Sequence, residues 1–193
     1  MLRKPSRPEG LRLLAATALV VTLGAFGFTS QAAAADTENL QLFRAVQKQV
    51  LNYTHFTIFD SVNMQINGST VTLTGWVTMP YKKNDIERRV SRVDGIDRVV
   101  NQIKELPVSQ FDDELRFRIA RAIYSSPHFR GYGSMVNPPI HIIVEHGRVT
   151  LEGVVNNNVD RMIARSIASN FLSFDIKNEL RTTQEAKDEL EKL

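Results

Sequence analysis

Val71-Thr72-Leu73-Thr74-Gly75-Trp76-Val77 recurs 78 positions later as Val149-Thr150-Leu151-Glu152-Gly153-Val154-Val155. Self-similarity at a fixed distance marks two copies of one structural unit, and the match spreads outward from this motif. Upstream, Leu42, Val46, Val50, His55 and Phe56 correspond to Leu115, Ile119, Ile123, His128 and Phe129 at an offset of 73, and downstream Val99, Asn101 and Ile103 correspond to Ile176, Asn178 and Leu180 at 77. The second copy carries its extra residues in the stretch Gly131 to Pro139, whose glycines and prolines read as a loop.

Each copy reads as helix, strand, strand, helix, strand. Leu42, Val46 and Val50 recur at helical spacing, as do Leu115, Ile119 and Ile123. Val62, Met64 and Ile66 alternate with polar residues up to the turn Asn67-Gly68-Ser69, after which Val71, Leu73 and Val77 alternate with threonines. Ile140, Ile142 and Val144, the turn His146-Gly147, and Val149, Leu151 and Val155 repeat that hairpin. Ile86, Val90 and Val93 give a second helix, Asp94-Gly95 ends it, and Val99 to Leu106 returns as the third strand. The expected fold class is α+β: two αββαβ domains, each a three-stranded mixed sheet with two helices on one face. The expected boundaries are an export segment over 1–35, a first domain over 36–106, a linker over 107–111, a second domain over 112–181 and a charged tail over 182–193. The linker is too short to let the domains separate freely, so a compact pair is expected.

Composition narrows the chemistry. There are no cysteines among 193 residues, which excludes disulfides, thiolate metal sites, a thiol nucleophile and a lipidated cysteine. Arg3, Lys4, Arg7 and Arg12 precede an apolar run from Leu13 to Phe28 and the small residues Ala32 to Ala35, the order of a cleaved export signal with cleavage near Ala34 or Ala35. Its removal takes four basic groups and Glu9 from totals of 24 basic and 21 acidic, leaving 20 of each. The net positive charge therefore belongs to the signal, and a nucleic-acid partner loses its support.

No catalytic or metal constellation emerges, so no enzyme and no cofactor are expected. His55 and His128 stand at equivalent places, which suits a fold-related role, while His141 and His146 with Glu145 lack a further ordered ligand. Asn101 and Asn178 fall on the inward phase of apolar strands and are expected to tie the third strand to a neighbouring loop. Gly75 and Gly153 are expected to admit the close approach of a helix.

The repeated V-T-L-x-G strand, followed by a helix, Gly95-Ile96 and Val99-x-Asn101-x-Ile103, resembles the BON domain, and the tandem behind an export signal resembles periplasmic proteins built from it. The second copy departs in carrying Ser173-Phe174 where the family has Gly before an apolar residue, and in its longer loop. The resemblance implies a periplasmic envelope-maintenance protein that binds anionic phospholipid surfaces or outer-membrane and other envelope proteins, with the first helix of the second domain in the lipid-binding surface. The alternative it implies is a holdase-like chaperone for unfolded clients.

Differences between the copies locate the expected site. With Leu115, Ile119 and Ile123 inward, Phe117 and Tyr124 fall on the opposite side with Arg121, and Arg116 and Arg118 lie nearby. The first copy has Arg44 and Leu51 where the second has the two aromatic residues. This face reads either as a phospholipid contact or as glue between the domains. Tyr132, in the loop, joins the expected partner surface. Trp76 points with the threonines to the open side of its sheet, as a client or interdomain contact. The tail is expected to be a frayed, solvated helix.

Overall fold

The computed structural model of the chain describes residues 28–191. The basic flank of the expected export signal thus lies outside the described residues, and positions 34 and 35 fall within the first helix. The first domain runs α1 (Phe28–Leu51), β1 (Ser61–Asn67), β2 (Thr70–Val77), α2 (Pro80–Val90), β3 (Arg98–Asn101) and β4 (Lys104–Glu105). The second runs α3 (Gln110–Ser125), a 3-10 turn with the short α4 (Arg130–Gly133), β5 (Ile140–Glu145), β6 (Arg148–Val155), α5 (Asn158–Ala168) and β7 (Asp175–Thr182), and α6 (Thr183–Leu190) closes the chain.

The two sheets share one plan. β2 is central, antiparallel to β1 and parallel to β3 and β4; β6 is central, antiparallel to β5 and parallel to β7. Val46 and Val50 of α1, Ile86 and Val90 of α2, and Val71 and Leu73 of β2 form one buried cluster, so both helices cover the same face. Ile119, Ile123, Ile142, Leu151, Ala164 and Ala168 build its counterpart. Burying one such aliphatic side chain is worth about 2 kcal/mol before the entropy of ordering it is subtracted. Caps fix the helix starts: Ser109 Oγ accepts from Asp112 N and Asn157 Oδ1 from Asp160 N.

Three expectations need correction. The third strand of the first domain is split after Asn101 into β3 and β4, both parallel to β2, with Gln102 N donating to Leu73 O between them. The Asn101 amide reaches helix α2, not a loop, donating to Lys83 O at 3.1 Å, and Asn178 donates likewise to Arg161 O of α5 at 2.9 Å. Gly75 and Gly153 admit a neighbouring strand and not a helix: at φ +118° and +119°, a Cβ would lie 2.2 Å from Ser61 O and 1.9 Å from Pro139 O. The tail is a solvated helix as expected, with no residue of α6 buried, and its start is closed by the Thr182–Glu185 capping box and held by Arg161, whose Nη1 donates to both Glu185 oxygens.

Candidate functional site

Helix α3 overhangs the edge of its sheet, and this decides where its side chains go. Arg116 is only 3% exposed; its Nη2 donates to Val144 O at 3.1 Å and its Nη1 pairs with Asp113. Tyr124 is half-buried, with its hydroxyl donating to Ile140 O at 2.6 Å and accepting from Ile140 N at 3.0 Å. Burial pushes the Tyr124 phenol well above its ordinary range. Neither residue belongs to an outer surface: positions one residue beside the apolar stripe reach around to β5, the edge strand, which a helix-against-face picture omits.

Tyr132 is buried too. Its hydroxyl donates to Asp160 Oδ2 at 2.7 Å and accepts from Asn156 N, while His128 Nε2 lies 2.8 Å from Asp160 Oδ1. Burial and then the Asp160 hydrogen bond push the phenol up to about 12. Burial alone works to raise the Asp160 pKa, and the Tyr132 and His128 hydrogen bonds outweigh it and hold the carboxyl below its usual range. The cluster ties the loop containing α4 to the start of α5, the role of a joint. In the first domain His55 packs edge-on against Tyr53 and Tyr81 instead.

Phe117, Arg118 and Arg121 remain at the surface. Phe117 is 59% exposed, yet its ring meets Phe59 of the first domain at 4.7 Å, edge to face. That contact is part of a built junction. Asp60 is fully buried, accepting from Thr57 N, Thr57 Oγ1, Thr78 N and Thr78 Oγ1 and pairing with Lys82 Nζ at 2.7 Å. The turn so fixed presents Ile58 O to Ile142 N at 2.8 Å and lays Ile58 and Phe59 on the second core. Ser61 and Asn63 donate to Glu152, and Phe56 packs on His141 at 5.4 Å. Burial lowers the His141 pKa, partly offset by the Asp60 backbone and the Glu152 charge. Trp76 takes no part in this junction's ring contacts; it lies half-buried beneath the Lys104 ammonium, 5.2 Å from the ring centroid.

A group of exposed apolar residues lies elsewhere on the second domain. Leu172 is 86% exposed, Phe174 82% and Phe111 52%. The last two rings converge over Gly147, where a Cβ would lie 2.7 Å from Phe174 and 3.5 Å from Phe111, and Phe174 N donates to Gly147 O. Phe171 beside them packs on the core and carries the Arg118 guanidinium over its ring at 5.5 Å. The exposed guanidiniums of Arg121 and Arg148 belong to the same domain. The sequence held a signal for this rim in the departure at Ser173-Phe174, where an aromatic ring stands in a loop. Among the described residues no group of three or more His, Asp or Glu is placed to hold a metal ion, and no helix is long and apolar enough to cross a membrane.

Comparisons with known proteins agree with this duplicated architecture. The family model of the BON domain matches twice, over residues 41–107 and 111–184. No curated protein matches the chain. Among solved structures it is similar to the C-terminal domain of CdsD, a structural protein of the type III secretion system of Chlamydia trachomatis, at 11% identity and a TM-score of 0.27, covering 73% of this chain and 96% of that one. A second CdsD structure is similar at 12% identity and a TM-score of 0.29, covering 78% and 97%. With both halves matched in tandem, the chain belongs to the BON-domain family.

Proposed function

We propose that this protein is an exported, non-enzymatic envelope-maintenance factor that docks on anionic phospholipid surfaces through the apolar rim of its second BON domain. The observation that carries the reading is the convergence of the exposed Phe111 and Phe174 rings over Gly147, with exposed Leu172 two residues before Phe174 in the same loop. Isolated exposed apolar residues need no explanation, whereas a cluster with a cationic margin suits a headgroup boundary. Sinking three such side chains part-way into the boundary is worth about 3–4 kcal/mol. Arg118, Arg121 and Arg148 each add about 1 kcal/mol against an anionic surface. The sum corresponds to reversible, roughly micromolar to sub-millimolar attachment that weakens with salt. The order of basic flank, apolar run and small residues at the N-terminus supports export, and the family's association with phospholipid and envelope surfaces supports the target.

Co-sedimentation with vesicles tests it. Wild-type protein should pellet with phosphatidylglycerol-containing vesicles more than with pure phosphatidylcholine, and Leu172→Ser with Phe174→Ser should weaken binding by about thirtyfold or more without changing the melting temperature. Equal binding to both vesicles, no binding to either, or a double variant that pellets like wild type overturns the reading.

A further inference from the structure

The domains differ most along the free edges of β1 and β5. Both hairpins close on a two-residue turn, with Asn67 opposite Thr70 and Glu145 opposite Arg148. Pairs facing across such a turn alternate between bonded and unbonded, so Val62, Met64 and Ile66, like Ile140, Ile142 and Val144, aim their N–H and C=O groups away from the partner strand. In the second domain four of these six outward groups are covered. Tyr124 takes both groups of Ile140, Ile58 O takes Ile142 N, and Arg116 takes Val144 O. The three side chains there are 0% exposed.

In the first domain that cover is missing. The 73-residue offset places Phe43 where the second domain has Arg116, and Leu51 where it has Tyr124, and neither side chain can hydrogen-bond a strand. Among the described residues, no hydrogen bond reaches the outward groups of Val62, Met64 or Ile66. Phe43 and Leu51 instead line a cleft of about 430 Å³ floored by Val62 and Met64, with Pro139 and Arg181 of the second domain on its far wall.

We infer that the outer edge of β1 is a docking site for an extended, apolar polypeptide segment, which adds to the first sheet as an outer strand and sets alternate side chains between α1 and β1. A row of unpaired main-chain donors and acceptors calls for another main chain; an acyl chain would bury those groups unpaired, at a cost. The molecule contains its own precedent, since the segment carrying Ile58 and Phe59 meets β5 with a backbone hydrogen bond and adjacent apolar side chains. The wall formed by the second domain recesses the edge, so a single extended chain reaches it while the equally recessed β1 of a second copy does not. Val62 to Ile66 offers about 17 Å, room for some five residues. The site uses none of the rim residues, so it stands or falls separately from membrane docking.

The test uses the full chain and a labelled nine-residue peptide of alternating valine and threonine with lysines at both ends. Saturable binding by fluorescence anisotropy is expected, with slowed amide exchange at Val62 and Met64. Methylating the peptide's alternate backbone nitrogens, which spares its side chains, should weaken binding at least about tenfold. Phe43→Arg with Leu51→Tyr, which copies the covered edge, should abolish it while the melting temperature holds or rises. No binding, or equal binding of the methylated peptide, overturns the inference. So does displacement of the peptide by palmitate with no exchange protection, which marks an acyl pocket, or a dimer that the double variant dissolves, which marks a second copy as occupant.

Discussion

Replacing Tyr124 with Phe removes one oxygen and keeps the ring. That oxygen donates to Ile140 O at 2.6 Å and accepts from Ile140 N at 3.0 Å. Each hydrogen bond contributes about 1 kcal/mol net, and each buried group left without a partner costs about 1–3 kcal/mol. Ile140 is 0% exposed, so its two groups approach that full cost, although half-buried Tyr124 lets some water near the vacated position. The loss should therefore sit at about 2 kcal/mol, roughly a 10 °C fall in the melting temperature of a domain this small. Calorimetry gives the magnitude, and amide exchange at Ile140 should accelerate beyond that of its neighbours. Because burial holds the folded phenol above its unfolded value of about 10, the wild type's advantage should be full at about pH 6 and begin to shrink as the pH rises through about 10. A loss below about 0.5 kcal/mol with Ile140 still protected would refute the claim that this hydroxyl seals the edge.

Gly153→Ala should cost more than about 3 kcal/mol and unfold the second domain first, because the new Cβ would lie 1.9 Å from Pro139 O at φ +119°; urea titration followed by circular dichroism reports it as a split transition. For His141, burial depresses the folded pKa, so the unfolded chain takes up its proton first on acidification. The associated stability is present above the unfolded value of about 6.5 and is lost as the pH falls through that value toward the lower folded one. Melting temperatures recorded from pH 7.5 to 5 should fall less steeply for His141→Gln than for wild type, and equal slopes would count against the assignment.

The repeat made the fold legible. One buried face per strand and one stripe per helix suffice to order αββαβ, and Val46 and Val50 lie on the stripe that packs with Val71 and Leu73 of β2. What stayed hidden depended on contacts between elements distant in sequence. Arg116 and Tyr124 sit off the apolar stripe and look solvated until β5 is known to lie beneath them. Asn101 gave its polarity away but not its partners, since Lys83 O and Glu87 Oε2 meet it only once α2 is packed beside β3. The rim of Phe111, Leu172 and Phe174 joins a helix start to a loop some 60 residues on, a neighbourhood no local period encodes. Composition, by contrast, limited the chemistry without help from any geometry.

The same skeleton, copied once, supports opposite treatments of one vulnerable feature. An unpaired strand edge invites pairing, and a protein must cover it or use it. In the second domain two polar side chains of α3 and a carbonyl from the first domain cover β5, and that carbonyl is delivered by a turn that buried Asp60 organises. Sealing β5 and joining the domains are thus one act: Ile58 and Phe59 cannot leave the second core without exposing Ile142 N. No such segment precedes the first domain among the described residues, and the helix positions that would supply side-chain caps carry Phe43 and Leu51. Among the described residues, divergence at two helix positions thus leaves the outward groups of β1 without the side-chain partners that α3 supplies to β5.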